Sequence, residues 1–130
     1  MTTDSNFYTF SGVVVEGKKR GRLLGFPTAN LQILDSENIE FPVSGVYAGT
    51  IVYEGNTYKA GISVGSNTTF DQKEVTIEAH ILDFDNDIYG KIISVVLIKK
   101  LRDMVKFDSI ENLVKQIQSD VKEVSNTVFL

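Results

Sequence analysis

The sequence predicts a mainly β domain in which several short antiparallel strands form a barrel or a sandwich, with one α-helix at the C-terminal end. Three observations carry this prediction. Runs rich in aromatic and β-branched residues recur between Gly, Asn and Asp turn signals. Two of these runs alternate: Tyr58, Ala60, Ile62 and Val64 against Thr57, Lys59, Gly61 and Ser63, then Val75, Ile77, Ala79 and Ile81 against Thr76, Glu78 and His80. That is the two-residue period of half-buried strands. Finally, Ile110, Leu113, Val114, Ile117, Val121 and Val124 recur at three- and four-residue steps, the stripe of an amphipathic helix.

The first strand is expected over Phe7–Glu16, stopping at Gly17. A basic, glycine-bounded loop follows, then a rigid turn around Pro27. Gly45–Tyr53 and Thr57–Val64 flank Glu54-Gly55-Asn56 and form a hairpin. Val75–Leu82 is the next strand, Asp85-Asn86-Asp87 a turn, and Lys91–Lys100 a strand with a nearly continuous apolar centre. Asp108 followed by Glu111 forms an acidic variant of the capping box, starting a helix over about residues 109–125. A helix of this length is marginal alone in water and must dock its stripe on the β part. With no internal repeat or linker, residues 1–130 form a single domain.

Composition excludes several chemistries. The chain has no cysteine, so disulfides, thiolate catalysis and cysteine zinc sites are absent. A net charge of −4 argues against general nucleic-acid binding. There is no basic n-region with an apolar core and no apolar run of membrane-spanning length, so a cytoplasmic domain is expected, with no membrane partner. No GxxxxGK[ST] or GxGxxG motif is present. Asp83, Asp85 and Asp87 imitate the start of a calcium loop, but Ile88 stands at its glycine position and Ser94 at its final glutamate.

Chemistry concentrates between Gly12 and Leu31. In Lys18-Lys19-Arg20-Gly21-Arg22, four of five residues are cationic within an acidic chain. Cations beside glycines suit a phosphorylated small ligand, although the same cluster fits a solvated hairpin tip. Pro27 restricts the backbone ahead of Thr28 and Asn30. Their hydroxyl and amide oxygens are hard ligands suited to Mg²⁺ carrying phosphate oxygens, yet a proline-threonine turn also arises for purely structural reasons.

Gly25-Phe26-Pro27-Thr28-Ala29-Asn30, preceded by the basic loop, resembles the signature of the riboflavin kinase family. Further blocks follow in order: Gly45-Val46-Tyr47-Ala48 after Pro42; Gly65, Thr69 and Phe70; Glu78-Ala79-His80; Asp87-Ile88-Tyr89-Gly90; and Leu101-Arg102 with Lys106-Phe107. The resemblance covers about Gly12 to Asp120.

It implies a small closed antiparallel β-barrel with one C-terminal helix, and transfer of the γ-phosphate of ATP to the 5′-hydroxyl of riboflavin, giving FMN and ADP. It further implies that Thr28 and Asn30 hold Mg²⁺ with the nucleotide. Gly17, Gly21 and Arg22 surround the phosphates, Tyr89 lies near the adenine, Glu78 is the catalytic base, and Arg102 and Phe107 lie by the flavin. By itself Glu78 looks like an ordinary solvated strand carboxylate; within the motif it gains a chemical role. The family has proline at Thr68 and glutamate at Met104, and the second departure bears on flavin affinity. The expected domain is a monomer; the adenylyltransferase module that bacterial relatives often carry is not encoded in these 130 residues, which fit either a free-standing kinase or one part of a longer protein. The alternative is a non-catalytic flavin- or nucleotide-binding module with the same fold.

Overall fold

The computed structural model describes the backbone of residues 8–15, 28–35, 39–69, 72–84 and 87–127. Six strands form the barrel: β1 (Tyr8–Val15), β2 (Ala29–Ile33), β3 (Gly45–Tyr53), β4 (Asn56–Thr69), β5 (Gln72–Ile81) and β6 (Ile92–Arg102). Every neighbouring pair is antiparallel, in the closed order β1-β2-β5-β4-β3-β6. Closure gives each strand two neighbours around the barrel, and the extension of the β4–β5 hairpin through Gly65–Thr69 and Gln72–Thr76 pairs within itself. Barrel and sandwich were both compatible with the alternation; the structure selects the barrel.

Period-2 alternation decides which side chains fill it. Ala60, Ile62 and Val64 of β4 and Ile77, Ala79 and Ile81 of β5 point inward, joined by Phe10, Val14, Leu31, Tyr47, Ile51, Ile93, Val95 and Leu97. The hairpin between β3 and β4 turns through Glu54 (φ 48°) and Gly55 (φ 80°), with Tyr53 opposite Asn56. Two consecutive positive φ values are those of a type I′ turn, whose twist matches the flanking strands. Gly49 lies at a register shift between β3 and β6, where an added Cβ would collide with the Val96 carbonyl oxygen.

The helix α1 spans Ile110–Asn126 and packs outside the barrel against β3 and β4. Val46, Ala48 and Thr50, outward-facing on β3, are consequently buried, so β3 is covered on both faces. Fully buried Val124 approaches Gly61 of β4, and Lys59 Nζ donates to the Ser125 carbonyl oxygen at 2.9 Å. A cation at that end complements the helix dipole.

Four expectations change. Ala29–Ile33, for which no strand was expected, form β2, and β4 continues to Thr69 rather than ending at Val64. The helix N-cap is Ser109, whose hydroxyl accepts from the Asn112 amide N–H at 3.1 Å, while Asp108 accepts from the Asn112 side chain. The one-residue shift from the expected capping box occurs because Asn112, not Glu111, occupies the third helical position. The apolar stripe is covered unevenly: Ile110 is 67% exposed, Leu113, Val114, Ile117 and Val121 are half-buried, and Val124 is fully buried.

Candidate active site

The barrel register brings distant residues into one row on its outer face. Going round the ladders, Val15 pairs with Asn30, Asn30 with Glu78, Glu78 with Ser63, Ser63 with Val46, and Val46 with Arg102. Their inward-pointing neighbours Leu31, Ile77 and Ile62 fill the core, so Asn30, Glu78 and Ser63 face away from it. Adjacent strands lie about 4.8 Å apart, so Asn30 and Glu78 are immediate neighbours and Arg102 lies roughly 14 Å from Glu78 along the curved sheet.

Thr28 is exposed just before β2, and Asn30 and Glu78 are half-buried. Together they supply a hydroxyl, an amide oxygen and a carboxylate, all hard oxygens of the kind Mg²⁺ prefers. Among the described residues, no three His, Asp or Glu side chains cluster closely enough to hold a metal ion. A sparse donor set still fits Mg²⁺, which commonly takes one or two protein oxygens and completes its shell with substrate phosphates and water.

Tyr89 is 60% exposed on the turn between β5 and β6. Its amide N–H donates to Asp87 Oδ1 at 3.0 Å, and the Gly90 amide N–H donates to the Val14 carbonyl oxygen at 2.9 Å. Gly90 has φ 81°, a conformation that favours glycine. The Gly90–Val14 bond holds the Tyr89 turn against the end of β1, one ladder away from Asn30. Gly17, Gly21 and Arg22 lie outside the described residues.

Arg102 stands at the other end of the row, where its Nε and Nη2 donate to the two carboxylate oxygens of Asp120 at 2.9 and 2.8 Å. Gln116 Nε2 also donates to Asp120 Oδ1, at 3.0 Å, and Arg102 Nη1 donates to the Asp103 carbonyl oxygen at 3.1 Å. The guanidinium carbon lies 5.9 Å from the centre of the Phe107 ring, at the outer limit of cation–π attraction. Beside this group, an open cleft of about 560 Å³ is lined by Lys106, Phe107, Asp108, Asn112, Lys115 and Gln116. Met104, one of the departures from the family pattern, is 48% exposed on the same segment. Thr68, the other, pairs with Lys73 in the β4–β5 ladder.

Lys100 Nζ donates to Asp103 Oδ1 at 2.6 Å. This bond raises the Lys100 pKa and lowers that of Asp103. Both groups are solvent-exposed, so the pair contributes little to stability.

Two residues of this region were not anticipated from sequence. Ser63, the second cross-strand neighbour of Glu78, leaves no local trace because a small polar residue is ordinary on an outward strand face. Asp120 could have been noticed: three residues beyond Ile117 and four before Val124, it puts a charge on the apolar stripe.

Comparison with known proteins bears on the family and the fold. The sequence model of the flavokinase family, described as riboflavin kinase, matches residues 5–128. The bifunctional riboflavin kinase/FMN adenylyltransferase of Listeria monocytogenes is 38% identical over 117 residues, covering 89% of this chain and 37% of that protein. The Bacillus subtilis protein of the same description is 36% identical over 119 residues, with the same two coverages. The chain thus spans little more than a third of these bifunctional relatives. Among solved structures, riboflavin kinase from Trypanosoma brucei superposes with a TM-score of 0.67 at 27% identity, covering 96% of this chain and 81% of that one. A structure described as a macrolide-efflux protein from Streptococcus pneumoniae superposes with a TM-score of 0.87 at 42% identity, covering 92% of this chain and 39% of that one. With the family match running over nearly its whole length and the barrel shared with a riboflavin kinase of known structure, this chain belongs to the riboflavin kinase family.

Proposed function

We propose that this chain transfers the γ-phosphate of ATP to the 5′-hydroxyl of riboflavin, with Glu78 as general base. The observation that carries this reading is the direct cross-strand pairing of Glu78 with Asn30 on the outer face of the barrel. Phosphoryl transfer depends chiefly on alignment and charge neutralisation, for which the protein needs no covalent intermediate. Thr28 and Asn30 would hold Mg²⁺ against the nucleotide phosphates, and the ion when bound supplies neutralisation of their charge. Glu78, next to Asn30, orients the ribityl hydroxyl and accepts its proton. A bond forms between that oxygen and the γ-phosphorus as the β–γ bridging bond breaks, and ADP departs with the bridging oxygen. Arg22 and the amides of the Gly17–Gly21 loop donate to the phosphates, and Tyr89 flanks the adenine. Arg102 and Phe107 receive the flavin end.

The test is to incubate the purified chain with riboflavin, ATP and Mg²⁺ and separate the flavins chromatographically, with a Glu78→Gln variant and a chelator-treated sample alongside. FMN from the intact chain, absent from both controls, is the expected result. Riboflavin that binds, as judged by fluorescence quenching, yet stays unphosphorylated with every nucleotide and metal would make the chain a binding module instead.

A further inference from the structure

Asp120 and Thr50 are the buried polar or charged residues among those described, and Asp120 is only 8% exposed. A buried carboxylate is costly unless paired, and even a well-paired buried ion pair commonly stabilises no more than apolar side chains of similar volume. Fold stability alone therefore does not account for a charge on the docking stripe of α1.

The contacts of Asp120 suggest what it is for. It receives both Nε and Nη2 of Arg102 in a side-on fork, at 2.9 and 2.8 Å, which fixes the plane of the guanidinium as well as its position. Gln116, one helical turn earlier, bonds the same carboxylate at 3.0 Å and limits its rotation. The third guanidinium nitrogen, Nη1, donates to the Asp103 carbonyl oxygen at 3.1 Å, at the root of the 103–109 segment. Phe107, farther along that segment, lies 5.9 Å from the guanidinium carbon. Arg102, held by the Asp120 carboxylate, thus ties together the end of β6, the segment carrying Phe107, and α1. Three of the five guanidinium N–H groups are engaged in these bonds, leaving two for a ligand. The pyrimidinedione carbonyls of a flavin are suitable acceptors. Gln116 and Phe107 both line the adjoining open cleft, so the network forms part of its wall.

We infer that Asp120 is a positioning residue for flavin binding, holding Arg102 in the orientation that meets the flavin and anchoring the segment that carries Phe107. The inference rests on the reading of Arg102 as a flavin contact. Asp120 acts through Arg102, and its loss acts on riboflavin affinity rather than on phosphoryl transfer, since Glu78 lies three strands away in the row.

The experiment measures kcat and the separate KM values for riboflavin and ATP, with thermal unfolding, for the intact chain, Asp120→Asn, Asp120→Glu and the double variant Arg102→Leu/Asp120→Leu. Asp120→Asn is expected to raise the riboflavin KM about tenfold, with kcat and the ATP KM within about twofold. The apolar double variant is expected to unfold near the temperature of the intact chain but to keep a raised riboflavin KM, separating site geometry from stability. Should Asp120→Asn fail to fold, Asp120→Glu, which keeps the charge and displaces it by one methylene, is judged by the same criterion. An unchanged riboflavin KM in the single variant that folds, alongside a raised value in the double variant, overturns the role of Asp120 and leaves Arg102 as a flavin contact. An unchanged value in the double variant as well removes Arg102 from the flavin site.

Discussion

Glu78 gains its significance from its neighbours. On a strand taken alone it is one more outward carboxylate; beside Asn30 on one ladder and Ser63 on the other, it stands among the oxygen donors a phosphoryl-transfer site uses. If it is the base, Glu78→Gln keeps shape and hydrogen bonding while removing the proton acceptor. Turnover should then fall about 10²- to 10⁴-fold, with both KM values within about threefold. Steady-state kinetics check this, and a kcat within about threefold of the parent takes Glu78 out of the reaction. Thr28 belongs to a different step. Thr28→Ala removes a hard oxygen from the nucleotide end and should raise the KM for Mg·ATP about tenfold while leaving riboflavin quenching unaltered. An unchanged nucleotide KM would mean that the Thr28 hydroxyl holds neither metal nor phosphate.

The elements depend on a few backbone and packing decisions. The β3–β4 turn places Glu54, a residue with a Cβ, at φ 48°. Asparagine tolerates that region better, so Glu54→Asn should stabilise the hairpin by about 0.5–1 kcal/mol, seen as a rise of a few degrees in Tm. A lowered Tm would show that the glutamate side chain contributes more than its backbone strain costs. The helix is attached differently, chiefly through fully buried Val124 over Gly61 and the bond from Lys59. Val124→Ala should cost about 2 kcal/mol in urea unfolding, because it leaves a void where helix and barrel meet. A much smaller loss would mean that the Arg102–Asp120 pair, rather than apolar packing, holds the helix in place.

For the molecule as a whole, stability at alkaline pH tests the integrity of the barrel. The Tyr47 hydroxyl donates to the Val43 carbonyl oxygen at 2.7 Å from a buried ring. Burial pushes its pKa above the ordinary value of 10.0, against the opposing pull of the nearby Lys100 charge. Because the folded pKa is the higher one, the unfolded chain loses this proton first. The contribution of Tyr47 is therefore fully present below about pH 10 and declines as pH rises from there through the folded pKa. Tyr47→Phe should be less stable by about 1 kcal/mol at neutral pH, through the lost hydrogen bond, but should lose less stability between pH 9 and 11. Denaturant unfolding at a series of pH values checks this, and parallel curves for the two proteins would dismiss Tyr47 as a source of the alkaline loss.

What the sequence determined by itself was local. Alternation at residues 57–64 and 75–81 marked strands and their inward faces, Glu54-Gly55 marked a hairpin turn, and the stripe ending at Val124 marked a helix, because backbone periodicity and turn chemistry act over a few residues. The motif blocks named Thr28, Asn30, Glu78 and Arg102 without saying which of them meet. Only the tertiary structure made residues 29–33 a strand, since so short a segment takes its conformation from the two ladders it joins. It likewise shifted the helix cap to Ser109, left Ile110 in solvent and buried Asp120, because docking rather than periodicity chooses which part of a stripe is covered. The row from Asn30 through Glu78 and Ser63 to Arg102 depends on barrel closure and register together. Both are set by packing between segments far apart in the chain, and no local preference of a residue encodes its partner across a ladder.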